Sequence, residues 1–172
     1  MKFTGDIFSL VKARNFALFL YTVSALLLFC LAEAVQAMIL VPMDGVQTDH
    51  LKAYGVVYHA LKEGARSYWL LNYRGGSFAI EELKGIELRA RKYGVTIEHI
   101  SKTDFAKILT VIENNNMEKV TLEKAPDIAV YIPPATPPWD DAVVIALKYA
   151  EIPYDTVYDK EVLAGRLSDY DW

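Results

Sequence analysis

Three stretches carry side chains with chemistry to offer. Asp44, Asp49 and His50 are neighbours in sequence and can form an acid/base or metal cluster at the mouth of a helix. The same residues have a structural reading, in which Thr48 caps that helix and Asp49 complements its N-terminal dipole. His50 beside a lone carboxylate lacks a spacing such as H-E-x-x-H, so no metal site is expected. The second stretch, Asn72-Tyr73-Arg74-Gly75-Gly76-Ser77, sets a guanidinium beside two glycines. Side-chain and backbone donors can there hold a carboxylate or phosphate together, or the stretch is a glycine turn with a solvated arginine. The third is Pro133 to Asp141, PPATPPWDD. It reads as a stiff loop opening a helix, with Pro137 or Pro138 at the first helical position and Asp140 and Asp141 in the first turn. Trp139, with Asp140 beside it, offers a ring on which a sugar can stack. His99 alternates with Val95 and Ile97 and reads as a packed core histidine, whereas His59 and Glu63 read as a helix surface pair.

The elements that must position these residues alternate between short β-branched runs and longer segments of helical period. Strands are expected at Met38 to Pro42, Tyr68 to Asn72, Val95 to Ile100, Ile128 to Pro133 and Tyr154 to Tyr158. Most are continuous apolar runs, as in strands buried on both faces. The expected fold is α/β: a parallel sheet of about five strands with helices on both faces, flavodoxin-like or class I amidotransferase-like. A first helix, about Thr48 to Glu63, is apolar on nearly all sides and needs cover from further chain or a partner. A second turns Leu83, Ile86, Ala90 and Tyr93 inward and stops at Gly94. A third, capped by Ser101 or Thr103, turns Phe105, Ile108, Leu109 and Ile112 inward. The stretch 117–125 reads as an edge strand or a connector between two βα halves, 38–116 and 126–172. In a parallel sheet, ligands bind outside the carboxyl ends of the strands. Topology therefore nominates Met43-Asp44, Asn72 to Ser77, Ser101 to Asp104 and Pro134 to Asp141.

Residues 1–37 read as a secretory signal peptide. Lys2, Lys12 and Arg14 precede an apolar run from Phe16 to Leu31, and Val35 and Ala37 suit a signal peptidase. A membrane anchor would want about 20 apolar residues, but Glu33 stops this run after roughly 16. Cleavage and export to the periplasm or beyond is the expectation, with a retained N-terminal anchor as the alternative. The single cysteine, Cys30, lies inside this leader behind Phe29, too bulky for lipid attachment. About 135 residues follow, without a thiol, enough for one domain with a real core. They keep 15 of 18 basic and 20 of 22 acidic residues, a formal charge near minus 5. Such a surface argues against nucleic acid and anionic membranes as partners. No cofactor motif is present.

The segments 38–78 and 122–172, in particular MDGVQTDHLKAYG, WLLNYRGGSF and PPWDDAV, resemble an exported bacterial family of unknown function that often carries the label "asparagine synthetase B". The resemblance implies a longer protein whose continuation is rich in His and acidic residues. The label implies an N-terminal Cys nucleophile and a Ser-Gly-Gly-x-Asp-Ser loop for ATP, and this sequence has neither. From Asp127 onward the chain is similar to the opening of class I glutamine amidotransferase-like domains, whose nucleophile would lie on a later elbow. Ser168 to Trp172 reads as the opening of another strand, so the chain is expected to be the N-terminal piece of a longer protein. The preferred function is an exported ligand-binding or interaction module for a small anionic or sugar-like ligand, with a partner domain or chain covering the open sheet. The alternative is an amidotransferase-like or hydrolase enzyme, with Asp44, His50 and Arg74 contributing to its pocket.

Overall fold

The computed structural model describes residues 38–81, 83–137 and 141–172. The expected leader, and Trp139 and Asp140, lie outside the described residues. In chain order the elements are β1 (Met38–Val41), α1 (His50–Lys62), β2 (Ser67–Leu71), β3 (Phe78–Glu81), α2 (Ile86–Tyr93), β4 (Glu98–Ile100), α3 (Lys102–Asn114) and β5 (Glu118–Leu122). Then follow β6 (Ala129–Tyr131), α4 (Ala142–Ala150), β7 (Asp155–Val157) and α5 (Asp159–Leu163).

The parallel five-stranded sheet expected from the sequence is not what forms. β1 to β5 make a sheet of order β4-β1-β3-β2-β5, and every neighbouring pair in it is antiparallel. The parallel pairing is confined to a separate two-stranded sheet, β6 with β7. The cause is β3, which the sequence reading left out. Each helical crossover does return the chain in its original direction, so β1 and β2 run one way and β3, β4 and β5 the other. The hairpin at 72–77 drops β3 between β1 and β2, and strands of opposite sense then alternate across the sheet. The stretch 117–125 contains β5, an edge strand of this sheet and more than a connector.

Two apolar layers hold the sheet. On one face Ile39, Val41, Phe78 and Ile80 pack against Ala53, Val56, Val57 and Ala60 of α1 and Ile86 and Ala90 of α2. On the other, Met38, Leu40, Leu70 and Ala79 pack against Ile108 and Ile112 of α3, with Phe105 and Leu109 at the margin. The inward faces expected for α2 and α3 are thus the observed ones. Ile39, Leu40, Leu70 and Ile80 are fully buried, each worth on the order of 1.5–3 kcal/mol of transfer free energy. Ser101 caps α3, its Oγ accepting from the Asp104 N–H at 3.0 Å. Asp49, not Thr48, caps α1, accepting from the Lys52 N–H at 2.9 Å. Asp141 likewise lies outside the first turn of α4 as its cap, accepting from Val143 and Val144.

The cover that α1 requires comes from α4. A Cβ at Gly55 would lie 1.9 Å from the Ala150 carbonyl oxygen, so only glycine allows this approach. Among the described residues, neither apolar cluster contains a residue beyond Leu122. The β6-α4-β7 region is therefore joined to the five-stranded region through close helix packing and polar contacts. Asp171 and Trp172 run alongside β6, with the Ala129 N–H donating to the Trp172 carbonyl at 2.8 Å. Among the described residues no helix is long and apolar enough to cross a membrane.

Candidate functional site

The β2–β3 turn is sewn onto the end of β1. Asn72 (φ 61°) and Arg74 (φ 46°, ψ 53°) are left-handed without being glycine, and Gly75 (φ 79°) and Gly76 (φ 87°) follow in the same region. Each non-glycine residue held there costs about 1–3 kcal/mol and persists only where its surroundings fix it. Here the fixing contacts are explicit. The Met43 N–H donates to the Arg74 carbonyl at 3.2 Å, and the Ser77 hydroxyl donates to the same carbonyl at 2.9 Å. Ser77 Oγ also accepts from the Met43 N–H at 3.3 Å. Gly75 lies so close to β1 that a Cβ would come within 2.3 Å of the Met43 carbonyl oxygen.

The effect is to aim Arg74 across the end of the sheet at two carboxylates. Its Nε donates to Asp44 Oδ2 at 2.7 Å and its Nη1 to Glu98 Oε2 at 2.9 Å. Asp44 follows β1 and Glu98 opens β4, so three strand ends meet at one guanidinium. Glu98 stands opposite Leu40 in the ladder, which puts it on the α3 face of the sheet. All three side chains stay between a quarter and two-fifths exposed. The hydrogen bond from Arg74 holds the Asp44 carboxyl below the usual aspartate range. The bonds to Glu98 and then Asp44 hold the guanidinium more firmly protonated than usual.

Of the residues nominated from sequence, Asp44, Arg74, Gly75, Gly76 and Ser77 are brought together, with Asn72 opening the turn. Ser77 is buried and structural. The other candidates among the described residues point elsewhere. His50 donates Nε2–H to the Met43 carbonyl at 3.2 Å, and Asp49 takes the Lys52 N–H and the Tyr149 hydroxyl. Asp44, Asp49 and His50 are therefore not joined by hydrogen bonds as an acid/base trio. Ser101 to Asp104 sit at the opposite end, because β4 runs against β1. His99 is no core histidine: it is half exposed and bonded to Glu87 at 2.9 Å. His59 leaves Glu63 for the Glu151 carbonyl, at 2.8 Å, while Glu63 pairs with Arg89. Among the described residues no three His, Cys, Asp or Glu side chains gather as metal ligands.

Two participants escaped the sequence reading. Glu98 lies between Ile97 and His99 in VTIEHI, on the same face as Ile100, and a carboxylate within a strand pattern is a readable signal. Gln47 is buried and carries four contacts. Its Nε2 donates to the Pro42 carbonyl at 2.7 Å and the Thr96 carbonyl at 3.3 Å, and its Oε1 accepts from the N–H groups of Thr96 and Thr48. It fixes the β1–α1 loop, and with it Asp44, against the segment leading into β4. No sequence motif marks it.

Chemically, the arrangement is an alternating array of acceptor, donor and acceptor. A guanidinium about a quarter exposed lies between two carboxylates, one formal charge short of neutral. An incoming anion would meet one cation already paired and two like charges. Compared with protein-family models, with curated proteins and with solved structures, the chain matches none.

Proposed function

We propose that this chain is an exported binding module, and that the end of the sheet at Asp44, Arg74 and Glu98 is where it takes a neutral, hydroxyl-rich ligand of the sugar class. The observation that carries the reading is the double bridge from Arg74 to the two carboxylates, held by a turn with two left-handed non-glycine residues. A hydroxyl donates and accepts at once, so adjacent hydroxyls can engage carboxylate oxygens and guanidinium N–H groups side by side. A phosphate brings negative charge up to two carboxylates, and an ammonium has only donors to offer. Local strain retained at a partly exposed polar cluster is a feature of binding sites more than of plain turns.

The test is calorimetry of the chain against a panel of neutral sugars, with inorganic phosphate and an alkylammonium salt as contrasts. Binding of a neutral sugar that is lost in both Arg74→Ala and Glu98→Gln, with phosphate inert, is the expected outcome. Phosphate binding that survives Glu98→Gln and vanishes in Arg74→Ala would restore the anion site. A panel with no neutral binder would remove the sugar reading.

A further inference from the structure

Away from this site, α1, α2 and α4 converge on one ammonium. Lys52 Nζ lies 4.8 Å from the centroid of the Tyr93 ring and 4.9 Å from that of Tyr149, and 3.3 Å from Glu151 Oε1. The surroundings are themselves tied down. The Tyr93 hydroxyl donates to Glu151 Oε2, and the Tyr149 hydroxyl to Asp49 Oδ2. Glu151 sits at the end of α4 with a left-handed backbone (φ 56°), and its carbonyl accepts from His59. The Lys52 side chain is 17% exposed, so most of its stem is out of water.

Two aromatic faces and a carboxylate around a partly desolvated cation are the elements of an organic-cation cage. Attraction between a ring quadrupole and a cation grows as water is excluded, and it favours bulky, weakly hydrated ammonium groups over metal ions. The tyrosines come from different helices and their hydroxyls are anchored to Glu151 and Asp49, so the ring geometry does not depend on the lysine alone. Two further cations face the cluster, both from α2. Lys92 Nζ lies 5.4 Å over the Tyr93 ring, and Arg89 Nη1 donates to the Tyr93 hydroxyl at 3.4 Å.

We propose that Tyr93, Tyr149 and Glu151, with Asp49 anchoring Tyr149, form a cage for a quaternary or methylated ammonium ligand, and that Lys52 is the resident cation such a ligand displaces. Lysine is suited to that role. Its long stem can swing into solvent, and its ammonium carries enough hydration to be a weaker cage occupant than a methylated one. The cage also bridges α4 to α1 and α2, so exchange of its occupant acts on the contact between the β6-α4-β7 region and the sheet.

The experiment uses tetramethylammonium chloride as the probe, with sodium chloride as the ionic control, on the full chain. Tyr93 and Tyr149 ring resonances and the Lys52 Nζ resonance are followed by NMR. In Lys52→Ala the probe should shift both rings saturably, and adding Tyr93→Leu should weaken binding by at least about fivefold. Lys52→Met fills the cage with an apolar chain and should show no response beyond sodium chloride. If Lys52→Ala does not fold, the wild-type protein decides: the probe must move Lys52 Nζ towards its solvent-exposed position. A folded Lys52→Ala that treats tetramethylammonium like sodium, or a wild-type Lys52 that stays put where Lys52→Ala is unfolded, overturns the proposal.

Discussion

Gly55 and Ala150 meet backbone to backbone: a Cβ at 55 would lie 1.9 Å from the Ala150 carbonyl oxygen and 3.0 Å from its carbon. A helix interior would ordinarily gain up to about 1 kcal/mol from Gly→Ala. Here the added methyl forces α4 off α1, and overpacking of this kind costs about 1–3 kcal/mol. Gly55→Ala should therefore lower stability in denaturant titration despite the better helix former. Because the two apolar clusters stop at Leu122 among the described residues, hydrogen exchange should accelerate in 127–172 well before it does in β1 and β3. Uniform acceleration across both regions would contradict this picture of the contact.

Gln47 replaces secondary structure where the chain leaves β1. Its amide supplies partners for the carbonyls of Pro42 and Thr96 and for the N–H groups of Thr48 and Thr96. Gln47→Leu keeps much of the volume and strands these groups in a site only 7% exposed. Buried polar groups left unpaired cost about 1–3 kcal/mol each, some of which water entry recovers. A loss of about 2–4 kcal/mol in urea unfolding is expected. A change below about 1 kcal/mol would mean that the loop does not depend on this amide.

How far the sequence carried the fold is visible in β3. The alternation of strands and helices was legible, and so were the inward faces of α2 and α3, because period and burial agree there. Pairing was not, because the direction of neighbours depends on which strands insert between which. The short run Phe78–Glu81, between the 72–77 stretch and the helix that begins near Leu83, carries no strand in the expected order. Read as an apolar run, two glycines and a second apolar run, Leu70 to Ile80 is a hairpin signal, and it would have turned the parallel sheet antiparallel. The site was half legible for a related reason. Arg74 and Asp44 stand next to glycines and caps and draw the eye. Glu98 reaches them only through the β1–β4 register, which no local pattern encodes, and it gives Arg74 a second carboxylate partner.

The Asp44–Arg74 pair predicts a specific acid response. Arg74 donates to Asp44 Oδ2 at 2.7 Å and holds the carboxyl below its ordinary range. A carboxyl depressed in the folded state binds its proton more readily once unfolded. Its contribution to stability is therefore present above the unfolded value, near 3.9, and is lost as pH falls through the lower folded value. Asp44→Asn keeps an oxygen for Arg74 and removes the charge. Its melting temperature should lie below that of the wild type at pH 6, and the two curves should converge as pH falls from the unfolded value through the lower folded one. Asp49, Asp104, Glu151 and Asp171 are lowered too, so both proteins lose stability in acid and only the gap between them reports on Asp44. A gap that stays constant from pH 6 to pH 2 would show that the pairing with Arg74 contributes nothing that titrates.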